Sequence, residues 1–110
     1  MFFQIVEKTI PAQLEYENER VIAFRDINPQ APHHLLIIPK RHIPTIADIS
    51  SEDLPLLGEM VSVANQLAKD LGVKDSGYRL VINCGKSSGQ AIFHLHLHLL
   101  GGRKMSWPPG

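Results

Sequence analysis

Apolar and polar positions follow two different periods along this chain. Leu14–Tyr16 and Arg20–Phe24 read as short strands, with Glu17-Asn18-Glu19 as the hairpin turn between them. His33–Ile38 is a third strand, stopped by Pro39. From about Glu52 to Leu71 the period lengthens. Leu54, Leu57, Val61, Ala64, Leu67, Ala68 and Leu71 recur at spacings of three and four, the stripe of one long amphipathic helix. Ser50 with Asp53 resembles a capping box, Pro55 falls in the first turn, and Gly72 suits the position just past the helix end. Tyr78–Cys84 and Phe93–Leu100 return to strand character, and Phe2–Lys8 reads as a short helical turn before Pro11. The Gly- and Pro-rich ending, Gly101 to Gly110, is expected to be irregular. Strands, helix, strands predicts an α+β fold: an antiparallel β-meander of about five strands with one main helix packed on one face. With no repeat, linker or low-complexity block, residues 1–110 are expected to form one domain.

Composition narrows the functional classes. Lys plus Arg and Asp plus Glu both number 11, so the formal net charge is zero. That argues against an electrostatic grip on nucleic acid or on an anionic membrane, while leaving room for a mononucleotide held by local donors. No apolar run approaches the length of a membrane span. The start lacks the basic region of a signal peptide, and the one cysteine, Cys84, allows no intramolecular disulfide. A cytoplasmic location is the expectation. A chain of 110 residues has a limited core, and a meander leaves edge strands to cover, so a two-fold homodimer is expected.

The chemistry is concentrated in Phe93-His94-Leu95-His96-Leu97-His98-Leu99-Leu100. On a strand, His94, His96 and His98 share one face and the three leucines share the other. Imidazoles change protonation near neutral pH, which suits nucleophilic and proton-transfer chemistry. The same spacing also suits a zinc site, with His34 or His42 as a further ligand. On spacing alone the two readings stand level. Upstream lies Asn83-Cys84-Gly85-Lys86-Ser87-Ser88-Gly89-Gln90-Ala91, whose glycines allow backbone N–H groups close to an anion. Its place before the histidines favours a phosphate site.

At these residues the sequence resembles the histidine-triad (HIT) family, in which three histidines alternate with hydrophobic residues. The stretch Asp26-Ile27-Asn28-Pro29-Gln30-Ala31-Pro32, then His34, then Ile38-Pro39-Lys40-Arg41-His42, looks like the Hint branch, as does the ending Gly101 to Gly110. The resemblance covers essentially the whole chain and lifts catalysis above zinc. It implies a homodimeric hydrolase that cleaves purine nucleoside 5′-phosphoramidates without metal or cofactor. His96 would attack phosphorus and carry a covalent nucleotidyl intermediate. His98 would contact the phosphate oxygens, His94 would lie beside the departing group, and His34 would join the proton network. Asp26 would bind the ribose, with Ile27, Phe24 and Ile5 lining the base pocket. Asn83, Gly89, Gln90 and Ala91 would surround the phosphate, and Trp107 would reach the partner subunit's leaving-group pocket. Many Hint proteins carry serine where this chain has Ala91, so a hydroxyl donor is missing here. The alternatives are a nucleotide-binding regulatory or interaction protein and a zinc-binding histidine module.

Overall fold

A computed structural model describes residues 12–110; the expected helical turn over Phe2–Lys8, and Ile5 with it, lie outside that range. Five strands form one antiparallel sheet among the described residues: β1 (Leu14–Glu17), β2 (Val21–Arg25), β3 (His33–Pro39), β4 (Tyr78–Val81) and β5 (Leu97–Gly101). One long helix, α1 (Leu54–Asp70), lies between β3 and β4 in sequence. The α+β architecture and the single covering helix are as the pattern predicts. The strands run consecutively only through β3. β5 then inserts between β3 and β4, giving the order β1-β2-β3-β5-β4. The histidine strand therefore lies inside the sheet, paired on both sides.

Alternation along the central strands sorts side chains onto two faces. Val21, Ala23, Leu35, Ile37, Leu97 and Leu99 point to α1 and pack with Met60, Val63, Ala64, Leu67 and Ala68. Ile22, Phe24, Leu36 and Ile38 form a second buried cluster on the opposite face. His34 and His98 have the same parity as Leu36, so they stand on that second face. The pairs Phe24–Leu36 and Leu36–His98 place Phe24, Leu36 and His98 in one row across the sheet.

The buried stripe of α1 keeps Ala64, Leu67 and Ala68 as expected, with Leu57 and Leu71 packed against it, but departs at two positions. Leu54 and Val61 are 57% and 40% exposed, and Met60 and Val63 take the inward positions. Apolar residues occupy more than one side of this helix, so spacing alone leaves its phase open. The helix also starts later than Glu52, because Ser51–Asp53 forms a separate 3-10 turn. The Asp53 carboxylate accepts from the Ser50 N–H at 2.8 Å and is ion-paired with Arg41. At the other end Gly72 adopts φ +77, and the N–H groups of Gly72 and Val73 close back on the Lys69 and Ala68 carbonyls. This is a Schellman termination, and it needs the left-handed backbone that glycine adopts without steric cost.

Two strands are shorter than the pattern suggests. β4 stops at Val81 rather than Cys84, and β5 begins at Leu97 rather than Phe93. Continuing the β3–β5 register would set Leu95 opposite Pro39, which has no N–H to give the ladder. The Leu95 N–H instead donates to the Ile43 carbonyl at 2.6 Å. His94 and His96 consequently sit on an irregular segment before the strand, His94 in a bend, although Leu95 still points into the main core.

Candidate active site

Hydrogen-bond partners that can play only one role fix the protonation pattern of the histidines. A backbone N–H only donates, and a carbonyl only accepts. The Gln30 N–H donates to His34 Nδ1 at 3.0 Å, so the proton of neutral His34 is on Nε2. That Nε2–H donates to His98 Nδ1 at 2.9 Å, and the proton of His98 is then on its Nε2. His96 Nδ1–H donates to the His94 carbonyl at 2.8 Å, which leaves the lone pair of neutral His96 on Nε2. His94 Nε2–H donates to the Pro39 carbonyl at 2.8 Å, and its Nδ1 accepts from His42 Nδ1–H at 3.2 Å.

The rings fall into two groups. His34, His98 and His96 are consecutive neighbours, with centroids 5.2 and 4.9 Å apart. His94 instead faces His42 at 5.1 Å. The expectation of one shared face thus needs correcting at His94, whose ring is held by Pro39 at the end of β3 and by His42 beyond it. Its backbone carbonyl, rather than its imidazole, touches His96.

Burial disfavours the charged form of three of these histidines, His34, His94 and His98. Desolvation lowers the pKa of His34, partly opposed by the Asp26 carboxylate 3.5 Å away. Desolvation also lowers that of His94, with a contribution from His42. His98 is pushed down to about 4, first by desolvation and then by repulsion from His96 and His34. A low-dielectric site disfavours each added positive charge, and adjacent imidazoles compound the effect.

The remaining expected residues are placed unevenly. Asp26 lies beside His34, and one of its oxygens also accepts from the Asn28 N–H at 2.8 Å. Phe24 is buried in the second cluster beneath this region, while Ile27 is 84% exposed. The loop after β4 carries Asn83, half-buried, with Gly89 and Ala91 exposed. Its N–H groups are not all turned outward. Those of Gly89 and Gln90 donate to the Lys86 and Gly85 carbonyls within the loop. The Gln90 side chain is buried and fully engaged: it accepts from the Gly85 N–H at 2.8 Å and donates to the Pro44 and Ile92 carbonyls, each at 3.0 Å. Gln90, expected at the phosphate, thus holds the loop closed. Trp107 is 81% exposed, with the Arg79 guanidinium 6.0 Å from its ring centre and donating to the Ser106 carbonyl at 3.0 Å. The pattern gave no sign of the His42–His94 pair, the Gln90 clamp or the Arg79 contact. The His42–His94, Gln90–Pro44 and Arg79–Ser106 contacts each join residues far apart in sequence. The side chains of Asp26, His34 and His98 each offer a ligand atom within 4.8 Å of one another, so a cation site at this place is also sterically available.

An antiparallel sheet whose helix-free face carries hydrogen-bonded histidines, with His94, His96 and His98 alternating with leucines, defines a histidine-triad protein. The HIT domain model matches residues 7–105, and the chain belongs to the HIT family. It is similar to a HIT family hydrolase from Legionella pneumophila, with 51% identity, a TM-score of 0.98 and coverage of 100% of this chain and 98% of that one. A HIT-like protein of Synechocystis is 50% identical over 110 residues, covering 100% of this chain and 96% of the relative. The maize protein named 14 kDa zinc-binding protein is also 50% identical, over 112 residues, covering 100% and 87%. The histidine triad nucleotide-binding protein of Candida albicans is 30% identical with a TM-score of 0.81, covering 97% and 81%. No helix among the described residues is long and apolar enough to cross a membrane.

Proposed function

We propose that this protein hydrolyses the P–N bond of purine nucleoside 5′-phosphoramidates through a nucleotidyl intermediate on His96. The observation that carries this reading is the bond from His96 Nδ1–H to the His94 carbonyl, which leaves Nε2 as the nucleophilic nitrogen. In the first step Nε2 forms a bond to phosphorus while the P–N bond breaks. The amine departs with the electron pair and takes up a proton from solvent. In the second step a water oxygen bonds to phosphorus, the His96–phosphorus bond breaks, and the water proton is released. His98 Nε2–H donates to a phosphoryl oxygen, with His34 holding the His98 ring in that tautomer. His94 acts through its carbonyl, since both ring nitrogens are bonded to Pro39 and His42. Asp26 accepts from the ribose hydroxyls, and Ile27, Phe24 and Ile5 meet the base. Asn83, Gly89 and Ala91 line the phosphate, within a loop framed by Gln90.

The reading includes a homodimer in which Trp107 reaches the partner's leaving-group pocket. The exposed Leu54 and Val61, the edge position of β4 and the exposed Trp107 support it. The test is incubation of pure protein with adenosine 5′-phosphoramidate. AMP release, lost by several orders of magnitude in a folded His96→Ala variant, is the expected result. Turnover near wild type in that variant overturns the assignment.

A second reading, a zinc site, is favoured by the spacing of Asp26, His34 and His98 and by the name of the maize relative. Stoichiometric zinc retained through dialysis, with activity lost on chelation and restored by zinc, would select it.

A further inference from the structure

The last residue of β3 and the segment after it hold the residues before β5 at four points. The Pro39 carbonyl accepts from His94 Nε2–H, His42 Nδ1–H donates to His94 Nδ1, the Ile43 carbonyl accepts from the Leu95 N–H, and the Pro44 carbonyl accepts from the Gln90 side chain. Two of these four contacts grip the His94 ring, one at each nitrogen. The carbonyl of that same residue receives the His96 Nδ1–H. The His94 ring is buried, whereas His42 is exposed.

We propose that His42 is a positioning residue for the nucleophile: by donating Nδ1–H to His94 it fixes the orientation of the His94 carbonyl and so selects the tautomer in which His96 Nε2 is free of its proton. The inference rests on the reading of His96 given above. The direction of the bond follows from the Pro39 end. A carbonyl cannot donate, so His94 Nε2 carries the proton and neutral His94 offers only a lone pair at Nδ1. His42 supplies the missing donor in either of its protonation states, because the cation and the Nδ1–H tautomer both carry that proton. Without it, the His94 peptide keeps the Leu95 N–H bond to Ile43, but the ring, still bonded to Pro39, loses its His42 contact and the carbonyl is less restrained, so His96 is freer to place its proton on Nε2. A histidine protonated at Nε2 cannot attack through that atom.

The substitutions separate donor geometry from mere bulk. An asparagine side chain offers an N–H near the place of Nδ1, whereas a glutamine amide reaches nearer the place of Nε2. Loss of one hydrogen bond of this kind predicts a kcat about tenfold lower in His42→Ala, with KM within about twofold. His42→Asn should recover kcat to within about threefold of the wild type, and His42→Gln should not. The decisive readout is the nitrogen spectrum of isotopically labelled imidazoles in the free protein. His96 should be protonated at Nδ1 in the wild type and in His42→Asn, with Nε2-protonated His96 appearing in His42→Ala. An unchanged His96 tautomer in His42→Ala overturns the proposal, as does kcat within twofold of the wild type. Absence of phosphoramidate hydrolysis in the wild type would refute the proposed reaction, yet the imidazole spectrum would still decide the role of His42.

Discussion

Gln90 offers a perturbation whose size can be worked out before the measurement. Its buried amide makes three hydrogen bonds that close the loop after β4 onto Pro44. At about 1 kcal/mol net for each bond, Gln90→Ala forfeits about 3 kcal/mol. The rotamer freedom regained on truncating a long amide offsets roughly 1 kcal/mol. A destabilisation of about 2 kcal/mol remains, equivalent to a Tm lower by about 10 °C for a chain of this size. Denaturant titration at constant m measures it, and AMP release on the same samples reports the loop. Gln90→Glu supplies the control. It preserves volume and the acceptor for Gly85 N–H, but it points a carboxylate oxygen at the Pro44 and Ile92 carbonyls. Repulsion from those carbonyls and burial raise the pKa of the introduced carboxyl in the folded protein, so this variant gains stability relative to the wild type as pH falls through the carboxyl range. A loss below about 0.5 kcal/mol in Gln90→Ala, with unchanged turnover, would refute the clamp.

Three further outcomes are expected. Because His98 titrates near 4 when folded and near 6.5 when unfolded, only the unfolded chain binds that proton between the two values. Stability therefore falls as pH drops from about 6.5 to about 4 and then levels, a trend weakened in His98→Asn; denaturation midpoints with no difference in trend between the two proteins would contradict it. Ala91→Ser should raise kcat up to about tenfold by restoring a hydroxyl donor at the phosphate, and an unchanged or lower kcat in steady-state kinetics would count against that placement. Arg79→Ala removes the contact to Ser106 and Trp107 and should shift relative kcat/KM among leaving amines by about threefold with little change in Tm; unchanged selectivity across several amines would dissociate the tail from leaving-group choice.

The strands and the helix were readable because their signal is local. Alternation located β1 to β3, and the three- and four-residue spacing located α1. The insertion of β5 between β3 and β4 was not readable, since period carries no information about which strand is whose neighbour. The start of β5 depends on Pro39, a residue on another strand that cannot extend the ladder. The phase of α1 was ambiguous because Leu54 and Val61 complete an apolar spacing as well as Met60 and Val63 do. Within the site, the histidine spacing directed attention to His96 and His98, and their tautomers emerge only from the Gln30 N–H and the His94 carbonyl. His42 lies 52 residues from His94, and no local pattern announces that pair.

The central claim is that phosphorus passes through a covalent bond to the protein. It is tested most directly by the stereochemical course at phosphorus, using a P-chiral adenosine 5′-thiophosphoramidate hydrolysed in oxygen-18 water. Two successive in-line displacements, first by His96 and then by water, predict overall retention of configuration. Inversion would mean that water attacks phosphorus directly, and it would contradict the account.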